Sequence, residues 1–291
     1  MTYKEFPLDC LLGVHYMKTY LTLSAIALAA AASLSSGVAS AEEPAAAPVP
    51  DIAVTSNFGL TSDYRFRGIS QNNRSPSAQG GFDVAFNKFG LYVGTWGSNV
   101  NAWTAGNGSM EWDLYGGYKT EVAGIAVDVG LIDYQYPGSG SYKANTQEAY
   151  VGLGYGIASF KVSRTIGDNY FATTNSTGTN GVSAKGTMYY DMTLSQEVLP
   201  KLTASAHAGY TDYKADGALS AGKFSYADYN VGLSYDYNGF LLGVKYYFNT
   251  LKNGTKSYAD ATAALATGST LSNGKSNLGA SGVALSLTRS F

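Results

Sequence analysis

Two carboxylates, Glu111 and Asp113, stand one residue apart in the stretch MEWDLYGGYK. Residues two apart on a strand share a face, so this spacing could present a carboxylate pair for acid–base work. The same spacing is also what plain alternation gives any strand with a polar side, and catalysis is not expected of it. Asp63, Arg65 and Arg67 repeat the pattern in LTSDYRFRGISQ. They could form a basic rung facing acids across a pore, or an ion cluster that helps close a strand. His207 is the only histidine beyond residue 41. A twelve-stranded membrane phospholipase would need such a base turned toward lipid, whereas His207 shares its parity with Thr203 and Ser205 and opposes Leu202, Ala204 and Tyr210. A lone histidine, with Cys10 the only cysteine, leaves no His/Cys metal site. Glycine runs such as GLGYG lack a following helix and so do not form a nucleotide loop. The chain is expected to be no enzyme and to carry no cofactor.

The elements that position these residues are set by a composition poor in charge. Only 14% of the 291 residues are charged, against about 25% in an average soluble domain. Glycine (35) and tyrosine (24) are abundant. The segment MKTYLTLSAIALAAAASLSSGVASA, from Met17 through Ala41, has the basic start, apolar run and small-residue end of a signal peptide, so residues 1–41 are predicted to be a leader with Met17 as its true start. Residues 42–50 (EEPAAAPVP) then read as a flexible periplasmic tether, and 51–291 as the folded unit. Removing the leader takes away Lys4, Lys18, Glu5 and Asp9 and leaves the formal charge at −2. That balance shows no basic bias toward nucleic acid.

From Ile52 onward the chain alternates with a period of two, the mark of strands with one apolar and one polar side. Ile52, Val54, Phe58, Leu60, Tyr64 and Phe66 share one face, and Thr55, Asn57, Asp63 and Arg65 the other. The pattern recurs through twelve predicted strands ending in GVALSLTRSF. Five connections are tight (NKFG, EVAG, GIAS, LPK, YNG), and the six that alternate with them are long and rich in Gly, Ser, Thr and Asn. A transmembrane antiparallel β-barrel of the bacterial outer membrane has this asymmetry, with short periplasmic turns, long external loops and an even strand number. Closure is required because an open sheet edge cannot be satisfied in hydrocarbon.

The motif SDY-x-FRG-x-SQ, carried by Ser62, Asp63, Tyr64, Phe66, Arg67, Gly68, Ser70 and Gln71, with EWDLYGGY and GLGYGIASFKVSRT downstream, resembles the TorF family of proteobacterial porins, formerly a conserved hypothetical family. The resemblance runs from about Ile52 to the end. It implies an outer-membrane barrel and a pore, with no catalytic residues to carry over.

If the apolar faces meet lipid, parity places Asp63, Arg65, Arg67, Asp83, Glu111, Asp113, Lys119, Asp128, Glu148, Lys161, Asp191, Asp228, Asp236 and Lys245 in the lumen. Acids exceed bases there, and carboxylate rings favour cations; salt bridges filling the barrel are the competing outcome. Aromatics near strand ends, including Tyr118, Tyr155, Phe160, Tyr210, Tyr235, Phe240 and Phe248, suit membrane interfaces. The expected function is passive diffusion of small hydrophilic solutes, with the long segment between Phe248 and Leu278 narrowing the mouth. The alternative is a non-conducting barrel that binds ligands or acts structurally through its loops. Trp103 and Tyr142 are loop aromatics that could stack on sugars. The expected partners are the outer-membrane bilayer, the barrel assembly machinery and the solutes, with the aromatic end at Phe291 serving as an assembly signal.

Overall fold

The computed structural model describes residues 50–100, 108–139, 144–171, 183–214, 225–250 and 278–291. The leader and most of the tether, Trp103, Tyr142 and the segment 251–277 lie outside the described residues. Strands β1 (Ile52–Thr61), β4 (Ser77–Phe86), β5 (Leu91–Asn99), β6 (Met110–Val122), β7 (Ile125–Gln135), β8 (Thr146–Tyr155), β9 (Ala158–Thr165), β10 (Met188–Leu199), β11 (Leu202–Asp212), β12 (Tyr226–Tyr237), β13 (Phe240–Asn249) and β14 (Gly282–Ser290) form one closed antiparallel barrel. Two short strands, β2 (Arg65–Phe66) and β3 (Ile69–Ser70), pair only with each other. No helix among the described residues is long and apolar enough to cross a membrane, and the barrel would cross with its strands.

The alternation read from the sequence sets the two surfaces. Val54 (68% exposed), Phe82 (63%), Leu131 (57%) and Leu285 (58%) point outward, while Asp83, Glu111, Asp113, Glu148 and Asp228 are buried inside. An apolar exterior around a polar interior inverts the order of a soluble protein and matches a membrane-spanning barrel. Tight turns join strand pairs at one end. Ala123 and Gly124, and likewise Asn238 and Gly239, both have positive φ, the geometry of two-residue hairpins whose twist matches that of the strands. The barrel closes where β1 pairs with β14, Asn57 opposite Ser290 through Thr61 opposite Ser286. Phe291 extends this seam with backbone bonds to Ser56 in both directions (2.8 and 3.1 Å). Arg289 lies on the outer face, as parity predicts, with its guanidinium 4.5 Å from the centre of the Phe240 ring and bonded to the Asn238 carbonyl. There it sits at the turn end of the wall, where a charge costs only about 0–1 kcal/mol.

One predicted element is corrected. The first strand was expected to run on through Phe66 with Tyr64 and Phe66 on the apolar face; instead β1 ends at Thr61, and Tyr64 (3% exposed) and Phe66 (8%) are inside the barrel. After Ser62 the chain leaves the wall and folds into the lumen. The reason lies in local hydrogen bonding. The Asp63 carboxylate accepts from the Ser70 hydroxyl (2.6 Å) and from Arg65 Nε (2.7 Å), which ties β2 to β3. Arg67 (φ 48°) and Gly68 (φ 76°) then make a tight two-residue turn with φ positive at both positions.

Candidate functional site

The lumen is divided by this hairpin. Residues 63–73 are all buried, and all eight residues of the SDY-x-FRG-x-SQ motif fall between Ser62 and Gln71. At the hairpin tip, Arg67 reaches across the barrel and grips Glu148 of β8 with two bonds, Nη1 to Oε1 at 3.0 Å and Nη2 to Oε2 at 2.7 Å. It also donates to the Tyr170 hydroxyl at 2.9 Å and lies 4.2 Å from the centre of the Tyr189 ring. Its carbonyl accepts from Tyr226 Oη at 2.8 Å. Tyr64 donates to Glu111 Oε1 at 3.0 Å, and Arg65 donates to the Ala280 carbonyl at 2.6 Å. The tip is thus held from β6, β8, β12 and the segment before β14, on several sides of the barrel.

The hairpin's apolar side is packed as well. Tyr64 meets Trp96 edge-on at 5.6 Å, and Phe66 meets Tyr134 at 5.7 Å and Phe171 at 4.9 Å. These rings exclude water from the ion pair. Burial lowers the tendency of Arg67 to hold its proton, but the Glu148 carboxylate outweighs it and keeps the guanidinium charged. Burial, with Glu111 beside it, raises the Tyr64 phenol well above its ordinary value, so it remains a donor.

Arg65 and Arg67 therefore belong to a folded-in loop and not to a strand rung. Arg65 pairs with Asp63 and Arg67 with Glu148, so these two cations act as a structural ion cluster. Below the hairpin, toward the tight turns, the wall carries a second network. Tyr92 donates to Asp128 at 2.7 Å and touches the Tyr150 hydroxyl; Lys119 lies 4.0 Å from Asp128 and 4.3 Å from the Tyr92 ring centre. Lys161 sits 4.6 Å from the centre of the Tyr150 ring, and Tyr115 donates to Asp83 at 2.8 Å. Across the barrel, His207 Nε2 is 3.2 Å from Asp191 and Nδ1 is 3.7 Å from Asp228. Lys245 and Asp236 are half-buried on inward-facing positions of β13 and β12. His207 faces inward with a side chain only 7% exposed, and its hydrogen-bond partners are Tyr189 and Asp191. His207 is thus turned toward the interior and away from the outer face, and Glu111 and Asp113 are buried.

The lumenal glycines have large side chains standing opposite them on the neighbouring strands. Tyr92 stands directly opposite Gly117 and Tyr150 opposite Gly130. A Cβ on Gly117 would come within 2.7 Å of Tyr92 Oη, and one on Gly130 within 2.5 Å of Tyr150 Oη. Tyr115 over Gly94 and Trp96 over Gly81 repeat the arrangement. Each ring stands over a bare stretch of neighbouring backbone that a side chain would obstruct. Finding these pairs requires the register between strands, which a single strand's periodicity does not contain.

A family model described as "Bacterial protein of unknown function (Gcw_chp)" matches residues 44–291. This description does not carry the TorF name that the motif suggested. No curated protein matches the chain. Among solved structures, it is similar to the KdgM porin at 8% identity and a TM-score of 0.47, covering 81% of this chain and 98% of that one. It is similar to the NanC porin at 11% identity and a TM-score of 0.46, covering 82% and 99%, and to the outer membrane phospholipase A from Escherichia coli at 14% identity and 0.40, covering 81% and 88%. The likeness is too distant to carry an argument about activity, and the fold stands on the chain's own strand pairing.

Proposed function

The chain belongs to the Gcw_chp family of bacterial proteins, and from its own closed barrel we propose that it is an outer-membrane channel for passive diffusion of small hydrophilic solutes, constricted by its first long loop. The tight turns would face the periplasm and the long loops the exterior, so the hairpin at residues 62–76 would sit under the external mouth. The single observation that carries this reading is the hairpin held across a lumen whose turn end is lined by half-buried small polar residues such as Thr55, Ser195, Ser205 and Ser234. A polar bore replaces the hydrocarbon barrier, and the hairpin sets its aperture. No covalent step is needed.

The solute path is proposed to run past Asp83, Lys119, Asp128, Lys161, Asp191, Asp236 and Lys245, with Glu111, Asp113, Glu148 and Asp228 behind the hairpin. With Arg65 and Arg67 paired to Asp63 and Glu148, the remaining lumenal groups are mostly acids, which supports weak cation preference. The pairing of Phe291 with β1 is consistent with a role for this residue in assembly. Planar-bilayer recording tests the function directly: discrete conductance steps are expected, and their absence in correctly folded protein would favour the second reading, a barrel closed by its own hairpin that acts through its outer loops. The burial of the hairpin tip is what keeps that reading in view.

A further inference from the structure

The pairing register places charged side chains from five strands on one inward-facing line. Lys119 of β6 stands opposite Asp128 of β7, Asp128 opposite Gly152 of β8, and Gly152 opposite Lys161 of β9. From Lys161 the line runs on to Asp191 of β10, Gly209 of β11 and Asp228 of β12. Across the wall it reads cation, anion, glycine, twice over, and then a last acid. Ladder hydrogen bonds run perpendicular to antiparallel strands, and the strands of a closed barrel tilt, so the line climbs the wall. Its lower end lies at a tight turn, where the Lys119 backbone N–H donates to the Gly90 carbonyl at 2.7 Å. Its upper end meets the hairpin: a Cβ on Gly68 would lie 2.7 Å from that of Asp228.

The positions on either side decide what this line can touch. Toward the loops, Tyr92 and Tyr150 support the two lysines, with Nζ 4.3 and 4.6 Å from the ring centres. Toward the turns, the next positions on β7, β8 and β9 are Ala126, Gly154 and Ser159, too small to cover the charges. The side chains of Lys119, Asp128 and Asp191 accordingly keep 25%, 17% and 31% of their surface exposed. Under the hairpin, Glu148 and Asp228 keep 1% and 2%.

As far as Gly209 the charges cancel, two lysines against two aspartates, while opposite signs stand side by side, Lys119 Nζ 4.0 Å from Asp128. A simple ion following this line meets attraction and repulsion in turn. A solute that carries an ammonium and a carboxylate a few bonds apart can face an aspartate and a lysine together, which is electrostatic complementarity without net charge. Resting on the channel reading, we infer that this line selects the solute and favours small zwitterions of the α-amino acid type. The ammonium passes from Asp128 to Asp191 and the carboxylate from Lys119 to Lys161. Asp228, with no lysine beside it on the line, leaves the excess acid behind the weak cation preference.

Uptake into liposomes carrying the folded barrel tests this with four solutes of similar size: alanine, neutral lactamide, anionic lactate and cationic 1-amino-2-propanol. Alanine should enter about threefold faster than lactamide, the scale of exposed ion pairs, and faster than either ion. Lys161→Gln and Asp191→Asn should each bring the alanine-to-lactamide ratio toward one. They should shift the two ions in opposite directions, Lys161→Gln favouring the amine and Asp191→Asn favouring lactate. Lys119→Gln repeats the test at the lower pair. Equal entry of alanine and lactamide in the wild type overturns the inference and leaves the channel reading standing. So does an unchanged ratio in variants whose circular dichroism matches the wild type. Entry of none of the four removes the channel reading and the inference with it.

Discussion

The two ends of the lumen solve the same problem in opposite ways. At the long-loop end, large rings and ion pairs fill the bore: Tyr64, Phe66 and Arg67 are inserted from the hairpin and meet Trp96, Tyr134, Glu148 and Tyr189 of the wall. At the turn end, Thr, Ser and Gly positions face an interior that no loop among the described residues enters. Tyrosines there stand over glycines of the adjacent strand. A barrel wall satisfies its own backbone, so its stability does not require a filled interior. The filled end is therefore a separate device, attached to the wall by a few directional contacts, and it can be perturbed without unmaking the barrel.

The largest effect should come from Arg67→Ala. It strands Glu148 in a buried site, a loss of about 3–5 kcal/mol for a buried pair broken on one side. Because the wall holds independently, the loss should appear as undocking of the hairpin, read as new proteolytic cleavage within residues 62–76 and larger conductance, with the barrel's circular dichroism intact. Gly68→Ala comes next. Its φ of 76° is unfavourable to any side chain, and a Cβ there would lie 2.7 Å from that of Asp228, so a weakening of the same docking by about 1–2 kcal/mol is expected. At the opposite end, Ser205→Ala and Ser234→Ala should change stability by no more than about 0.5 kcal/mol and leave hairpin cleavage at the wild-type level. If these turn-end variants disturbed the hairpin as much as Gly68→Ala, the two ends would not be independent. The smallest effect concerns selectivity: in a salt gradient the reversal potential should have a weak cation sign, reduced by neutralising Asp83 or Asp128, and a zero or anion-signed potential would remove that part of the account.

The barrel was legible in the sequence because a strand's period of two reports which side faces lipid without reference to any other strand. Tight and long connections, read in alternation, gave the strand number. The hairpin was not legible for a related reason. Tyr64 and Phe66 keep the parity of Ile52 and Leu60, so the alternation continues unbroken across a point where the chain leaves the wall. The signal that could have marked the departure was Arg67-Gly68, a two-residue turn with glycine second, obscured by an arginine where asparagine or aspartate is the familiar occupant. Asp63, Arg65 and Arg67 are buried in a segment that folds inward after β1, a placement that strand parity does not describe. The ring-on-glycine pairs stayed hidden because they depend on register between strands.

The central proposal is that the first long loop, folded inward, sets the aperture of a polar bore. Single-channel recording of the wild type beside a variant in which residues 64–71 are replaced by a short Gly–Ser linker tests it most directly. The account predicts small, steady conductance for the wild type and a severalfold larger conductance for the linker variant. Equal conductance in the two would contradict it.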